Sequence, residues 1–301
     1  MLPKNATEGR RGNRRSFSHL LMNVDRRIIF LVIALSVALP LIFPLNLPVK
    51  SSREARAYYD EMEKLKAGDE IIFSFDYEPD VMAELDPMSL ATLRHAFRKD
   101  VRVICLTTYA GGSGIAERIL EQVTSEYDKT YGTDCVFLGY NPDPSATMLR
   151  MGESIKGTFP TDHYRTSTDE LPLLETADSY ADIELLVSIT GSALAEYWII
   201  WAGGKFNQRI ISGNTAIQAV LLYPYFPAQI SGFLGGLKGA AEYERMVGVD
   251  GAGVRGMDAQ SMAHLLIVCF VVLGNIGFLI QKRRLSRGGD NSDSGNQGER
   301  A

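Results

Sequence analysis

Polar side chains follow several short apolar stretches of this chain, and they are the residues that could bind a ligand or carry out chemistry. Because these stretches alternate with helical ones, they predict parallel strands whose carboxyl ends meet at one edge of a sheet. Open parallel sheets bind ligands at that edge. The candidate ligand-binding residues there are Asp76, Glu78, Thr108, Ser113, Asn141, Ser192, Asn214 and Thr215. The pattern alone assigns no catalytic residue.

Two carboxylates, Asp76 and Glu78, follow the first predicted strand. Because side chains alternate along an extended stretch, both would point to the same side of the chain. Paired acids can transfer protons during catalysis. The alternative interpretation is a solvated turn before Pro79.

Three serines, Ser113, Ser192 and Ser212, could act as nucleophiles at the same edge. A serine nucleophile needs a base within hydrogen-bond reach. Between the two long apolar runs of the chain the only histidines are His95, on a predicted helix, and His163, in a long loop, and no Gly-x-Ser-x-Gly elbow is present. The lysines that could replace histidine as the base are Lys205 and Lys238.

A glycine-rich loop, Gly111-Gly112-Ser113-Gly114, connects the second predicted strand to a helix. Exposed N–H groups at the start of a helix attract anions. The loop lacks the Lys-Ser/Thr pair of a phosphate-binding loop and the spacing of the dinucleotide fingerprint. The interpretation that we favour is therefore a tight turn between strand and helix. Since the chain has no Cys/His cluster, the sequence predicts no metal site, and it predicts no cofactor.

Five short apolar stretches alternate with amphipathic helices and would position these side chains. The predicted strands are Glu70–Phe75, Val101–Leu106, Cys135–Leu138, Ile183–Ile189 and Arg209–Ser212. Nearly continuous apolar strands are typical of parallel sheets that are buried on both faces. The sequence therefore predicts a Rossmann-like three-layer α/β domain with a mostly parallel sheet of about five strands, over residues 68–246.

Two long apolar runs flank this domain, over residues 28–47 and 261–281. About 20 apolar residues suffice to cross a bilayer as a helix. Basic residues precede the first run and follow the second, and such residues stay on the cytoplasmic side. The pattern predicts a two-span protein of the cell (inner) membrane, with both termini cytoplasmic and the α/β domain extracytoplasmic. A cleaved signal peptide is the alternative for the first run.

The remaining segments complete the predicted domain organisation. They are a basic cytoplasmic tail over 1–27, a stalk helix over 51–67, a flexible linker over 247–260 and a disordered cytoplasmic tail over 282–301. Between Asn46 and Gln260 acidic side chains outnumber basic ones by 31 to 19. We expect no nucleic-acid binding, because contacts with phosphates need a basic face.

Two of the three cysteines, Cys105 and Cys135, fall in predicted strands, and Cys269 lies in the second apolar run. An extracytoplasmic compartment allows a disulfide bond to form. Two widely spaced cysteines carry little information about pairing, so buried free thiols are the interpretation that we favour.

A predicted helix over residues 229–246 carries glycines four residues apart, in the pairs Gly232/Gly236 and Gly235/Gly239. Glycine inside a helix costs about 1 kcal/mol relative to alanine, so a close contact should offset that cost. One interpretation is tight packing on the domain's own sheet. The other is contact through the Gly232–Gly239 helix with a protein partner, a second copy of the chain or the membrane surface.

Four stretches of the sequence resemble a known group of proteins. They are Phe75-Asp76-Tyr77-Glu78-Pro79, Leu138-Gly139-Tyr140, Tyr223-Pro224-Tyr225 and the run from Gly235 to Glu244. Over most of the predicted outer domain, the chain resembles an uncharacterised family of prokaryotic two-span membrane proteins with an extracytoplasmic α/β domain. The resemblance implies a prokaryotic source. It implies no activity and no catalytic residue.

The missing catalytic constellation and the glycine-rich helix favour a binding or assembly role over an enzymatic one. We therefore expect a membrane-anchored extracytoplasmic module that belongs to a larger membrane complex. The alternative is a membrane-anchored hydrolase with Ser113 or Ser192 as its nucleophile. Labelling of either serine by an activity-based probe would favour the hydrolase.

Overall fold

The computed structural model describes residues 25–249 and 251–289, and the chain divides into two units. One unit comprises residues 44–258, and the other comprises the segments 1–43 and 259–301. Most of the predicted N-terminal tail, Asp250 and the end of the predicted C-terminal tail lie outside the described residues.

The unit 44–258 is built on a six-stranded sheet in which all neighbouring strands are parallel. The strands are β1 (Glu70–Asp76), β2 (Arg102–Thr107), β3 (Cys135–Tyr140), β4 (Leu185–Thr190), β5 (Ile210–Asn214) and β6 (Gly232–Gly235). They lie in the order β3-β2-β1-β4-β5-β6, so the chain builds outward first on one side of β1 and then on the other. The predicted parallel α/β sheet is confirmed, with one strand more than expected.

Helices connect the strands of the sheet. In chain order the helices are α1 (Arg26–Ile42), α2 (Arg53–Lys64), α3 (Met82–Arg98), α4 (Ser113–Glu126), α5 (Pro144–Met151), α6 (Ile155–Thr158), α7 (Pro172–Thr176), α8 (Leu194–Trp198), α9 (Gly204–Phe206), α10 (Ala216–Leu222), α11 (Gly236–Val247) and α12 (Ala252–Gly289). A π-helical turn, Ile199–Gly203, joins α8 to α9.

Alternate residues of the strands face two separate apolar cores, one on each side of the sheet. In β1, Phe73 packs in a core with α2, α3, α4 and α11. Its neighbour Ile72 packs in the other core with α5, α8 and α10. Both side chains are completely buried, as expected for a parallel sheet that is covered on both faces.

The segment that the sequence predicts as one helix over 229–246 is instead a strand followed by a helix. Residues 232–235 form β6 beside β5, and α11 begins at Gly236. A Cβ at Gly232 would lie 2.2 Å from the backbone nitrogen of Tyr58, so α2 can cross β6 only over a glycine. Gly236 has a φ of +59° at the turn into α11, a left-handed conformation that favours glycine. Packing inside the domain therefore accounts for these glycines, and the four-residue spacing along one helix is absent.

Only one of the two predicted membrane helices has the length and composition of a membrane span. Among the described residues, that helix is α12, over Ala252–Ile280. Helix α1 has only 17 residues and ends at Ile42. Pro44 explains the early end, because the residue before a proline is driven out of the helical conformation, and Phe43 is extended with φ −121° and ψ 91°. Among the described residues, one helix with the length and composition of a membrane span is therefore shown, and the second span stays a prediction.

Three buried carboxylates, Glu242, Glu244 and Asp258, hold the two ends of the unit 44–258, and we call them the entry clasp. Asp258 accepts hydrogen bonds from the backbone N–H groups of Asn46 (2.9 Å) and Leu47 (3.2 Å). All three carboxylate residues are at most 2% exposed. The first and the last residues of the unit therefore lie side by side.

The two glutamates of the entry clasp hold the starts of two helices. Glu242 accepts hydrogen bonds from the N–H (3.2 Å) and the hydroxyl (2.7 Å) of Ser52, the residue that caps α2. Glu244 accepts hydrogen bonds from the N–H groups of Gly253 (3.1 Å) and Val254 (2.7 Å), in the first turn of α12. A carboxylate at the start of a helix also interacts favourably with the helix dipole.

Two of the four glycines in the expected linker over 247–260, Gly251 and Gly253, pack against the entry clasp. A Cβ at Gly251 would lie 1.9 Å from Glu244 Oε1, and a Cβ at Gly253 would lie 2.9 Å from Glu244 Oε2. Glycine therefore leaves room for the carboxylate to reach the backbone N–H groups. Helix α12 begins within this stretch, and it continues to Gly289, into the segment expected to be a disordered tail.

Candidate ligand-binding site

A cavity of about 540 Å³ opens at the carboxyl ends of β1 to β4, and we call it the strand-end pocket. The order of the sheet reverses between β1 and β4, and open α/β sheets bind ligands at such a reversal. The residues that line the pocket are Glu78, Thr108, Tyr109, Ala110, Tyr140, Pro144, Ser192, Ala193, Leu194 and Tyr197. They come from four strand ends and from the starts of α5 and α8.

Asp76, the last residue of β1, supports the pocket wall and is itself buried. Its Oδ1 accepts hydrogen bonds from the N–H (2.7 Å) and the hydroxyl (2.9 Å) of Thr108. Its Oδ2 accepts hydrogen bonds from the hydroxyl of Ser74 (2.5 Å) and the indole N–H of Trp198 (3.1 Å). Burial raises the pKa of Asp76, and these four donors oppose that rise. With both oxygens occupied, Asp76 ties β1 to β2 and α8.

The loop after β4 is fixed by Thr190. The hydroxyl of Thr190 donates a hydrogen bond to the backbone carbonyl of Asp76 (3.0 Å). Its oxygen also accepts from the N–H of Ser192 (3.1 Å) and lies 3.1 Å from the Ser192 hydroxyl oxygen. Ser192 is thereby held at the pocket just before α8.

Glu78 lies two residues beyond Asp76 but in a different environment. Its side chain is exposed, and its carboxylate forms no hydrogen bond or ion pair with any residue that the structure describes. The side chain crosses the backbone at Gly111, where a Cβ would lie 2.7 Å from Glu78 Cγ. Asp76 is therefore fully hydrogen-bonded within the fold, whereas Glu78 faces the pocket. The two carboxylates are not arranged as a pair that could transfer protons to one ligand.

The glycine-rich loop before α4 is shaped by its approach to β1. A Cβ at Gly112 would lie 2.2 Å from the carbonyl oxygen of Phe75 and 2.5 Å from Thr107 Oγ1. A Cβ at Gly114 would have no heavy atom within 4 Å. Close backbone approach therefore requires glycine at position 112, which agrees with the interpretation of a tight turn.

Three of the eight predicted ligand-binding residues, Glu78, Thr108 and Ser192, line the strand-end pocket. Asp76 lines a smaller cavity of about 70 Å³, which also contacts Glu78 and Ser192. The predicted residues outside the lining are Ser113, Asn141, Asn214 and Thr215. Asn214 is buried, and its side-chain oxygen accepts a hydrogen bond from the Ser212 hydroxyl at 2.7 Å.

The three tyrosines of the pocket lining are not among the eight ligand-binding residues predicted from the sequence. Tyr109, Tyr140 and Tyr197 are 37%, 43% and 41% exposed, and none of their hydroxyls bonds to a described residue. Tyr109 and Tyr140 closely follow two predicted strands, and that position is a signal that could have found them. Tyr197 reaches the pocket because it lies one helical turn after Leu194 on α8, which only the fold reveals.

Within the described part of the chain, no hydrogen bond joins a serine of the pocket to a histidine, lysine or carboxylate side chain. The Ser192 hydroxyl has only Thr190 and the N–H of Leu194 as partners, and neither is a base. His95 is buried 2.7 Å from the Tyr243 hydroxyl, away from the pocket lining. The other residues considered as bases, His163, Lys205 and Lys238, are likewise outside the lining.

Cys105 and Cys135, on β2 and β3, are free and buried thiols. Burial raises the pKa of Cys105 well above its usual value and that of Cys135 to about 12. Both therefore stay protonated and unreactive at neutral pH, and they act as small apolar side chains of the core.

No protein-family model and no curated protein matches this chain. Seven chains of solved structures match it. The crystal structure of AibC matches with 13% sequence identity and a TM-score of 0.30, covering 74% of this chain and 54% of AibC. The trehalose-6-phosphate synthase OtsA matches with 9% identity and a TM-score of 0.21, covering 81% of this chain and 48% of OtsA. The chain thus spans about half the length of these proteins, and at such TM-scores neither match bears on function.

Proposed function

We propose that this chain is a membrane-anchored module that binds a small molecule in the strand-end pocket. The observation that carries the proposal is the pocket, a cavity of about 540 Å³ that four strand ends build. A concave, mostly apolar cavity with a few convergent polar groups is typical of a small-molecule site. Because the Ser192 hydroxyl has no hydrogen bond to a base among the described residues, the geometry favours binding over the alternative, hydrolysis.

The proposed anchor is helix α12, with α1 as a second and shorter span. Beyond Asp258 of the entry clasp, the part of α12 that reaches Ile280 is apolar and long enough to cross a bilayer. At 17 residues, α1 is about 26 Å long, slightly less than the hydrocarbon thickness of about 30 Å. Arg26 and Arg27 begin α1, and Lys282 follows the apolar part of α12. Since basic residues remain on the cytoplasmic side, this charge pattern supports an extracytoplasmic α/β domain with both termini inside.

The entry clasp supports this arrangement. Because Asp258 binds the backbone of Asn46 and Leu47, the chain enters and leaves the α/β domain at adjacent points. Adjacent entry and exit points suit a domain that is inserted between two helices of one membrane. A protein partner and membership of the resembling prokaryotic family stay predictions from the sequence.

The binding proposal can be tested by filling the pocket. The full chain in lipid nanodiscs would be screened by ligand-observed NMR against a fragment set that holds equal numbers of cations, neutral molecules and anions. We expect hits that Ala193→Trp abolishes, because Ala193 is an exposed residue of the pocket lining. Ala181→Trp, at an exposed alanine outside the lining, should leave them unchanged. Hits that survive Ala193→Trp, or a wild-type protein without hits, would contradict the proposal.

The topology can be tested by labelling introduced cysteines in intact cells. A membrane-impermeant maleimide should label Glu153→Cys, in an exposed position of the α/β domain, and should spare Lys282→Cys. The native Cys105 and Cys135 are buried, and the exposed Cys269 would be replaced by serine in both variants to remove its background. The reverse labelling pattern would place the domain in the cytoplasm.

A further inference from the structure

We infer that the strand-end pocket selects an organic cation, an amine or quaternary ammonium group carried on a small apolar body. This inference rests on the proposed binding function and adds the chemical class of the ligand to it. Three features of the lining support it: the absence of basic side chains among its residues, all of them described, the free carboxylate of Glu78 and the exposed tyrosine rings.

The lining contains no basic side chain. Of its ten residues, all in the described part of the chain, Glu78 is the only charged one. An anionic ligand would therefore lose water without gaining a cationic partner, and it would face the Glu78 carboxylate. The whole stretch from Asn46 to Gln260 adds to this bias with its excess of acidic side chains.

The carboxylate of Glu78 has no partner among the described residues, and neither has that of Asp80, which lines the small adjoining cavity with Glu78. Some exposed carboxylates of the domain have partners, such as Glu126, which pairs with Arg94 at 2.7 Å, and others, such as Glu153, have none among the described residues but lie outside the cavity lining. Two unpaired carboxylates at the edge of a cavity attract a cation, and the low-dielectric wall of the cavity strengthens that attraction.

Tyr109, Tyr140 and Tyr197 give the cation a second type of contact. The faces of aromatic rings attract ammonium groups, and quaternary ammonium sites are built in this way. The remaining lining is mostly apolar and would contact the body of the ligand, with Leu194, Pro144 and two alanines.

A bare metal ion does not fit the same lining. Calcium takes six to eight oxygen ligands, and magnesium needs a nearly ideal octahedron. Within the described residues no group of three or more His, Cys, Asp and Glu side chains is placed to hold a metal ion. The cation that suits this pocket is therefore organic.

Three probes of nearly equal shape test the inference: benzylamine, which is a cation at pH 7, neutral benzyl alcohol and anionic benzoate. Binding to the full chain in nanodiscs would be measured by calorimetry, with empty nanodiscs as the reference. We expect benzylamine to bind at least about 5-fold more tightly than benzyl alcohol, and benzoate to bind most weakly, as expected for one screened charge contact plus a cation–π contact. Glu78→Gln should reduce the preference for benzylamine to less than about 2-fold, and 1 M salt should weaken it. Glu153→Gln, which removes an exposed carboxylate outside the lining, should preserve it.

The inference is overturned if benzyl alcohol or benzoate binds as tightly as benzylamine, or if Glu78→Gln keeps the preference. It is also overturned if benzylamine shows no saturable binding. If neutral molecules bind and Ala193→Trp abolishes their binding, the pocket is a ligand site and only the cation class is wrong. If Ala193→Trp leaves all binding intact, the proposed function fails as well.

Discussion

The strand-end pocket and the entry clasp both contain carboxylates, and the two regions use them in opposite ways. The three carboxylates of the entry clasp accept six hydrogen bonds, five of them from backbone N–H groups. Glu78, in the pocket, accepts none from the described residues. The carboxylates of the entry clasp bond to N–H groups at the ends of the domain and at helix starts, whereas Glu78 bonds to none, although the pocket wall also includes the starts of α5 and α8.

Asp76 shows that this distinction does not follow position in the sequence. It lies two residues from Glu78, yet it accepts four hydrogen bonds and so resembles the carboxylates of the entry clasp in its bonding. A carboxylate whose donors come from the fold stabilises the structure, and one without such donors is open to a ligand. The comparison therefore predicts which acids matter for stability and which for binding.

Removing Asp76 should have the largest effect on stability. Asp76→Ala leaves the Thr108 N–H and the Trp198 indole N–H buried without an acceptor, so we expect a loss of about 4 kcal/mol in the free energy of unfolding. Asp76→Asn should cost about 2 kcal/mol, because its amide donor would face one of these donors. Chemical unfolding followed by tryptophan fluorescence would measure both. A loss under 1 kcal/mol for Asp76→Ala would contradict the claim that carboxylates bonded within the fold stabilise it.

The entry clasp should come next. Glu244→Ala removes the acceptor of two N–H groups at the start of α12, and we expect it to cost about 3 kcal/mol. Glu153→Ala, at an exposed position, is the matched control and should change stability by less than about 0.5 kcal/mol. Thermal unfolding of the two variants in the same detergent compares them directly. Equal melting temperatures would show that the clasp does not stabilise the domain.

The pH dependence of stability should depend on His95, which is buried against α11, the helix that carries two carboxylates of the entry clasp. Burial lowers the pKa of His95, which bonds to Tyr243 on α11, to about 4 from an ordinary value of 6.5. Between these values the unfolded chain binds more protons than the folded one, so stability falls as the pH falls. From pH 7 to pH 5 this group should remove about 2 kcal/mol. Unfolding curves at the two pH values should differ less in His95→Gln, and an unchanged difference would exclude His95 as the source.

Glu78→Gln should have the smallest effect on stability. Because Glu78 has no partner among the described residues, we expect the free energy of unfolding to change by less than about 0.5 kcal/mol. The same unfolding assay as for Asp76 measures it. A loss as large as that of Asp76→Asn would mean that Glu78 supports the fold, and the contrast between the two acids would disappear.

Five of the six strands follow from the sequence because each contains a short apolar run, which the two cores bury. Strand β6 is not predictable in this way, because Gly-Phe-Leu-Gly is short. Each of its glycines also lies four residues before another glycine, a spacing that is typical of close helix packing, so the sequence predicts a helix there. Glycine is needed in β6 because a Cβ at Gly232 would clash with Tyr58 and a Cβ at Gly235 would clash with Ala219, and neither neighbour belongs to the same segment of the chain. The same holds for Gly251 and Gly253, which look like flexible linker residues until Glu244 is placed beside them.

In the candidate site, too, the sequence predicts some features and not others. Glu78, Thr108 and Ser192 are predictable because they follow strands directly, and the parallel sheet brings such residues to one edge. The bonding state of Asp76 is not predictable, because it depends on Trp198, a donor 122 residues later. Local order along the chain thus predicts where a site lies, and distant packing decides which of its side chains are free.

The contact between Asp258 and the backbone of Asn46 and Leu47 has a consequence for engineering. Because the beginning and the end of the α/β domain are neighbours, a peptide of about five glycine and serine residues would join them. Circular permutants opened at an exposed surface turn would then keep the sheet order and the pocket while lacking both apolar helices.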